Sequence, residues 1–314
     1  MMRGISIVVA WSGGRRALMV CISWRGACLR ELPPLPGTPD SSLFEISCAQ
    51  AGSTSHQSSR RRENVVNRLA CLCYLSLVMF ASPTFAHTAT ITLRTTSSEP
   101  FTVYATGPKG ALKSIVLVHD WFGVSPAYME AADKLGNLGY RVVAVDLYAG
   151  QHATTHEQAG ALLGALKDDV AARELDTAIR FLSEEGASDG SRRIAVMGFS
   201  MGVKHALSAA LRNSSVQATV LWYGETVKDP EVLHHLGGAA LLIVGSHDGP
   251  SAAENASAFS KATDAAGVGA EVYVYPGAEH AFAQPLFNQG KTYDPAATRV
   301  AWELTESFLN RRLR

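Results

Sequence analysis

Arg193-Ile-Ala-Val-Met-Gly-Phe-Ser-Met-Gly202 is the stretch from which the rest of this chain can be read. The apolar run Arg193–Met197 has the length of a buried strand, and it leads directly into Gly198-Phe199-Ser200-Met201-Gly202. Residues 202–212 then carry alanine and leucine at helical spacing. A G-x-S-x-G pattern between a strand and a helix makes a sharp turn that lifts the serine hydroxyl clear of the sheet. Both flanking glycines are needed, because a β-carbon would strike the crossing chain. The start of the helix also offers free backbone N–H groups beside the serine, where negative charge on a bound oxygen would be stabilised. The bare pentapeptide is common by chance, and its other reading is a glycine-rich turn whose serine caps the helix. The strand–turn–helix setting favours Ser200 as a nucleophile.

Outward from this turn the elements alternate. Short strands are expected at 89–94 and 101–105, and buried strands at Ser114–His119, Arg141–Asp146, Ala218–Tyr223, Leu241–Gly245 and Glu271–Tyr275. Helical spacing covers 126–138, one long stretch at roughly 157–185, 251–266 and 295–311. Apolar strands alternating with helices predict a mostly parallel α/β sheet with helices on both faces. In such a sheet the active groups stand on loops at the carboxyl ends of strands.

A serine hydroxyl needs a base to attack. In a strand–serine–helix scaffold of this kind the chain order is serine, then an acid, then histidine. Of the 10 histidines, His234, His235, His247 and His280 lie well beyond Ser200 in or near loops. His280, in Tyr275-Pro-Gly-Ala-Glu-His280, follows the last strand and precedes the last helix, which is where the base belongs. Asp248 follows the strand 241–245 and would accept the second imidazole N–H. The alternative for Asp248 is a turn before Pro250 or a helix cap. Glu254 and Asp264 fall on the next helix, and Glu279 should point away from its neighbour His280. One oxyanion donor would be the N–H of Met201, and the other an N–H from Asp120 or Trp121, just after the strand ending at His119.

These residues resemble the dienelactone hydrolase family over roughly 100 to 312. The resemblance rests on His119-Asp-Trp-Phe-Gly-Val124, Asp146-Leu-Tyr-Ala149, Gly198-Phe-Ser-Met-Gly202, Tyr223-Gly224, the Asp248 loop and Gly277-Ala-Glu-His-Ala-Phe282. It implies the α/β-hydrolase fold, oxyanion donors Trp121 and Met201, and hydrolysis of a small ester or lactone through an acyl-enzyme. Asp120, Tyr148, Tyr223 and Phe282 are then expected to line the pocket. The chain departs from the family pattern in three ways. Ser200 stands where the best-known members have cysteine. Asp120 stands where they have glutamate, a carboxylate that there helps manage the thiol. Their substrate-gripping arginines would fall near Gly150 and Gln284, and neither is arginine here. Lys204 replaces a glycine often found after the nucleophile motif. Arg192 and Arg193 read as surface charges, and Gln151–Asp169, with His152 and His156, as a flap or a solvated connection.

The whole chain of 314 residues carries 28 Lys and Arg against 28 Asp and Glu, but unevenly. Residues 1–86 hold 9 of the basic and 4 of the acidic residues, giving +5, so the remainder is −5. A mildly acidic folded part without a basic stripe argues against nucleic acid as a partner. All 5 cysteines precede residue 87, so the later chain has no thiolate metal site and no disulfide. Residues 60–86 have the order of a secretory signal: Arg60, Arg61, Arg62 and Arg68, an apolar stretch Leu69–Ala81 too short for a span, then Pro83 and Thr84-Phe85-Ala86. Residues 1–59 show no sustained helix or strand period and read as a non-native or disordered upstream extension, with Val65 or Val66 as the expected start. The domain proper is expected at 87–314, exported to the periplasm or beyond, with no membrane span after cleavage.

No cofactor is expected. No phosphate-binding glycine loop follows the first core strand, and His119 has no partners at metal spacing. The expected partner is a small-molecule ester or lactone. The alternatives are a hydrolase of a larger acyl or peptide bond, and a non-catalytic binding protein on the same fold, whose mark would be a broken triad.

Overall fold

The computed structural model describes residues 88–185, 192–285 and 287–314, together with the backbone of 6–12 and 15–21. The chain divides into two units, Met1–Ala81 and Ser82–Arg314. In the first, β1 (Ser6–Ser12) pairs antiparallel with β2 (Arg15–Cys21). Both strands fall within residues 1–59, where the sequence shows no sustained strand period. Ile7, Val8, Val9 and Val20 are β-branched, which suits a strand. The expected signal segment lies outside the described residues.

The second unit is built on one eight-stranded sheet. Its strands are β3 (Ala89–Arg94), β4 (Pro100–Thr106), β5 (Lys113–Val118), β6 (Arg141–Val145), β7 (Arg193–Phe199), β8 (Val216–Trp222), β9 (Ala239–His247) and β10 (Ala270–Glu279). The helices are α1 (Pro126–Asn137), α2 (His156–Ala165), α3 (Asp168–Glu184), α4 (Met201–Arg212), α5 (Pro230–Leu233), α6 (Ala252–Ala265) and α7 (Pro295–Arg312). The spatial order is β10-β9-β8-β7-β5-β6-β4-β3, and only the pairings of β4 are antiparallel. From β5 the chain first steps to β6 on one side, then returns to place β7 on the other. That reversal opens a crevice at the carboxyl ends of β5 and β7.

Alternation along the strands feeds two cores. Val116, Val118, Val196, Leu242 and Val244 face a core shared with α3, α4 and α6, through Leu175, Ile179, Val203, Leu207 and Phe259. Ile115, Leu117, Met197, Leu241 and Ile243 face the other, shared with α1 and α7 through Tyr128, Leu135, Phe308 and Leu309. Burial on both faces is why these strands read as continuous apolar runs.

The expected long helix at 157–185 is two helices. The chain turns extended at Leu166 and Lys167 (ψ 126° and 127°), and α3 starts afresh with Asp168 and Asp169 in its first turn, where carboxylates suit the helix N-terminus. Lys204, on α4, meets Asp168 at 2.7 Å and so ties the start of α3 to the helix that follows Ser200. The pair is exposed and worth little on its own. Arg192 corrects its expectation too. It is 5% exposed, donating to Ser114 Oγ at 3.2 Å and to the Lys109 carbonyl at 3.4 Å.

Candidate active site

Ser200 sits where β7 ends and α4 begins, at φ 51° and ψ −116°. L-residues seldom adopt a positive φ, and Ser200 shares it with Ala149 after β6, Tyr223 after β8 and Ala281 after β10. Positive-φ backbone therefore recurs at the carboxyl ends of four strands of the sheet. The turn is packed to the limit. A β-carbon on Gly198 would come 2.4 Å from the carbonyl oxygen of Gly202, and one on Gly202 would come 2.4 Å from that of His119. The Ser200 hydroxyl does not cap its helix. It is free to point elsewhere.

It points at histidine. Ser200 Oγ is 2.8 Å from Nε2 of His280, and Nδ1 of His280 is 2.8 Å from Oδ1 of Asp248. Asp248 comes from the loop after β9 and is largely shielded, its side chain 16% exposed, whereas that of His280 is 38% exposed. Just before the loops that follow them, the ends of β9 and β10 are stitched together by Gly277 N–H donating to Ser246 Oγ at 2.9 Å. The other candidates stand apart from this line: Glu254, Asp264, Glu279 and His247 are exposed, and exposed His234 bonds the carbonyl of Glu231.

The residues 101–313 match the dienelactone hydrolase family. The chain belongs to that family. It is an ester or lactone hydrolase on the α/β-hydrolase fold. A Salmonella typhimurium relative, provisionally assigned as a carboxymethylenebutenolidase, is 26% identical over 246 residues, 73% of this chain and 89% of its own. The dienelactone hydrolase of Anabaena variabilis superposes with a TM-score of 0.57 at 22% identity, over 73% of this chain and all of its own. A dienelactone hydrolase-like promiscuous phosphotriesterase from metagenomic libraries reaches 0.63 at 18% identity, over 72% and 98%.

Around the triad geometry, this family member arranges a loop from β5, His119 to Gly123. Phe122 N–H donates to Asp120 Oδ1 at 2.8 Å, and Gly123 N–H to the Asp120 carbonyl at 3.2 Å. Among the described residues, Trp121 N–H and Met201 N–H donate to nothing, so both remain free for an incoming oxygen. Asp120 is 2% exposed, and burial pushes its carboxyl up to about 6. The Phe122 N–H and the nearby Tyr128 hydroxyl pull the other way. That hydroxyl is buried and makes no hydrogen bond among the described residues.

The expected pocket residues separate. Tyr223 is buried, with its ring edge-on to His280 at 5.7 Å. Tyr148 is buried against the His119 ring at 4.9 Å, and burial, with Asp120 nearby, pushes its hydroxyl up to about 12. Phe282 does not line the site. It is fully buried and stacks on Trp222, because the positive φ of Ala281 turns the chain inward after His280.

Sequence reasoning missed an aromatic wall beside the site. Trp121 stacks on His156 at 5.5 Å, Phe122 and His156 both meet Phe287, and Phe287 meets His280 at 5.9 Å. The wall brings the start of α2, within the expected flap, against the β5 loop. A cavity of about 330 Å³ is lined by Tyr128, Phe199, Gln284 and Trp302 among others, and by Tyr223, whose ring meets His280. Among the described residues no group of three or more His, Cys, Asp or Glu side chains could hold a metal ion, and no helix is long and apolar enough to cross a membrane.

Proposed function

We propose that the chain is a serine hydrolase acting on small, uncharged esters or lactones. The observation that carries this reading is the unbroken line Ser200–His280–Asp248, with 2.8 Å at each step. As Ser200 Oγ attacks the carbonyl carbon, His280 Nε2 takes its proton. Asp248 holds the ring so that Nε2 faces the serine, and it stabilises the imidazolium. The oxygen that becomes negative is held by the N–H groups of Trp121 and Met201. The carbon–oxygen bond then breaks, His280 returns the proton to the leaving alkoxide, and an acyl ester remains on Ser200. Water, deprotonated by the same nitrogen, releases the acid and restores the hydroxyl.

The uncharged substrate follows from the surroundings. Phe287 meets His280, Phe122 and His156 meet Phe287, and Trp121 stacks on His156, while neither Gly150 nor Gln284 supplies an arginine for a carboxylate. Phenyl acetate should exceed a matched ester bearing a carboxylate by about tenfold or more in kcat/KM. Equal or better turnover of the charged ester would overturn the uncharged-substrate reading. We also place the activity outside the cytoplasm, on the charge and apolar order of residues 60–86. N-terminal sequencing of the native product should begin near His87, and a product beginning before residue 60 would refute export.

A further inference from the structure

The geometry points to His119 as the positioning residue that aims the Trp121 N–H at the reaction centre. This rests on the reading of Trp121 as an oxyanion donor. His119 stands at the carboxyl end of β5 and is fully buried. Both ring nitrogens are engaged. Nδ1 lies 2.5 Å from the carbonyl oxygen of Asp120, and Nε2 receives the N–H of Leu147 at 3.2 Å. A carbonyl can only accept and a backbone N–H can only donate. The ring is therefore the neutral tautomer carrying its proton on Nδ1. Burial agrees, lowering its pKa to about 4.

The consequence lies in one peptide plane. The Asp120 carbonyl is held by two donors, the His119 ring and Gly123 N–H. In a trans peptide the carbonyl and the following N–H point to opposite sides of the chain. Fixing the Asp120 oxygen on the His119 ring thus turns the Trp121 N–H the other way. The next two N–H groups are already committed, Phe122 to the Asp120 carboxylate and Gly123 to its carbonyl, which leaves Trp121 as the donor available to a substrate. The loop also lies against the nucleophile helix. A β-carbon on Gly202 would meet the carbonyl oxygens of His119 and Val118 at 2.4 and 2.6 Å. Through Leu147 the same ring straps the β5 loop to the loop after β6. His119 touches no substrate atom in this account. It acts through the Asp120–Trp121 peptide.

The test compares His119→Leu with His119→Asn on the full domain. Leucine fills space but offers no donor. Asparagine places an amide N–H close to where Nδ1 stands, yet cannot serve Leu147. We expect kcat for phenyl acetate to fall on the order of a hundredfold in His119→Leu, with KM nearly unchanged. His119→Asn should recover to within about fivefold of wild type. Inhibition by a boronic acid, whose tetrahedral adduct needs the oxyanion donors, should weaken in parallel in the leucine variant only. A purely structural role would lower the melting temperature of both variants without separating their kcat values. Should the leucine variant fail to fold, a folded His119→Asn that has lost a hundredfold in kcat overturns the inference alone. A folded His119→Leu with wild-type kcat does the same, while Ser200→Ala remains inactive. A wild type that never acylates at Ser200 overturns both this inference and the hydrolase reading beneath it.

Discussion

Nδ1 of His280 faces Oδ1 of Asp248 at 2.8 Å, across loops that follow two adjacent parallel strands, β9 and β10. In the proposed mechanism this contact fixes which imidazole nitrogen remains to accept the Ser200 proton. Asp248→Asn keeps the size of the side chain but can donate to Nδ1 and favour the wrong tautomer. Its kcat should fall by about 10³ to 10⁴, with KM much less affected. Steady-state kinetics on phenyl acetate check this, and a loss under tenfold would remove Asp248 from the mechanism.

Asp120 gives a pH-dependent stability. Burial holds its folded carboxyl near 6, against an ordinary value of 3.8. The folded state therefore keeps this proton more tightly than the unfolded chain does. The contribution is fully present below about pH 4 and is lost as pH rises through about 6. Asp120→Asn removes the titration while leaving an oxygen for Phe122 N–H. The variant should be more stable than wild type at pH 8, by an amount on the order of 3 kcal/mol, and the gain should shrink toward pH 4. Urea melts at the two pH values measure it. A variant less stable at pH 8 than at pH 4, relative to wild type, would contradict the assignment.

Gly202 lies where the turn at Ser200 meets the end of β5. Gly202→Ala forces a β-carbon against two backbone carbonyls, so one of the two segments must move. Stability should drop by about 2 kcal/mol or more, and kcat should fall more than KM rises. Thermal melts with kinetics report both. Wild-type values would show that the turn has slack it is not credited with here.

Much of this architecture can be read from the chain because both faces of the sheet are buried. Continuous apolar runs such as Ile115–Val118 and Leu241–Val244 mark the strands, and the residues just beyond their ends, Ser200 and Asp248, are then located by the rule of carboxyl-end loops. What the sequence hides is whatever depends on a partner distant along the chain. The break between α2 and α3 falls on Leu166 and Lys167, neither of them glycine or proline, and Gly164 just before it is taken up in the helix. Arg192 looks solvated until the Ser114 hydroxyl and the Lys109 carbonyl accept from it. Phe282 neighbours the catalytic loop in sequence but faces the core, since the turn at Ala281 reverses its direction. The aromatic wall draws Trp121, His156 and Phe287 from three segments, and His119 has meaning only once Leu147 is beside it.

The central claim is an activated Ser200. The most direct measurement is labelling of purified 87–314 with a fluorophosphonate probe, with the modified peptide located by mass spectrometry and Ser200→Ala run alongside. Wild type should be labelled on Ser200 within minutes, and the variant should not be labelled. A folded wild type that stays unlabelled, or an equal yield of label on Ser200→Ala, would contradict the account.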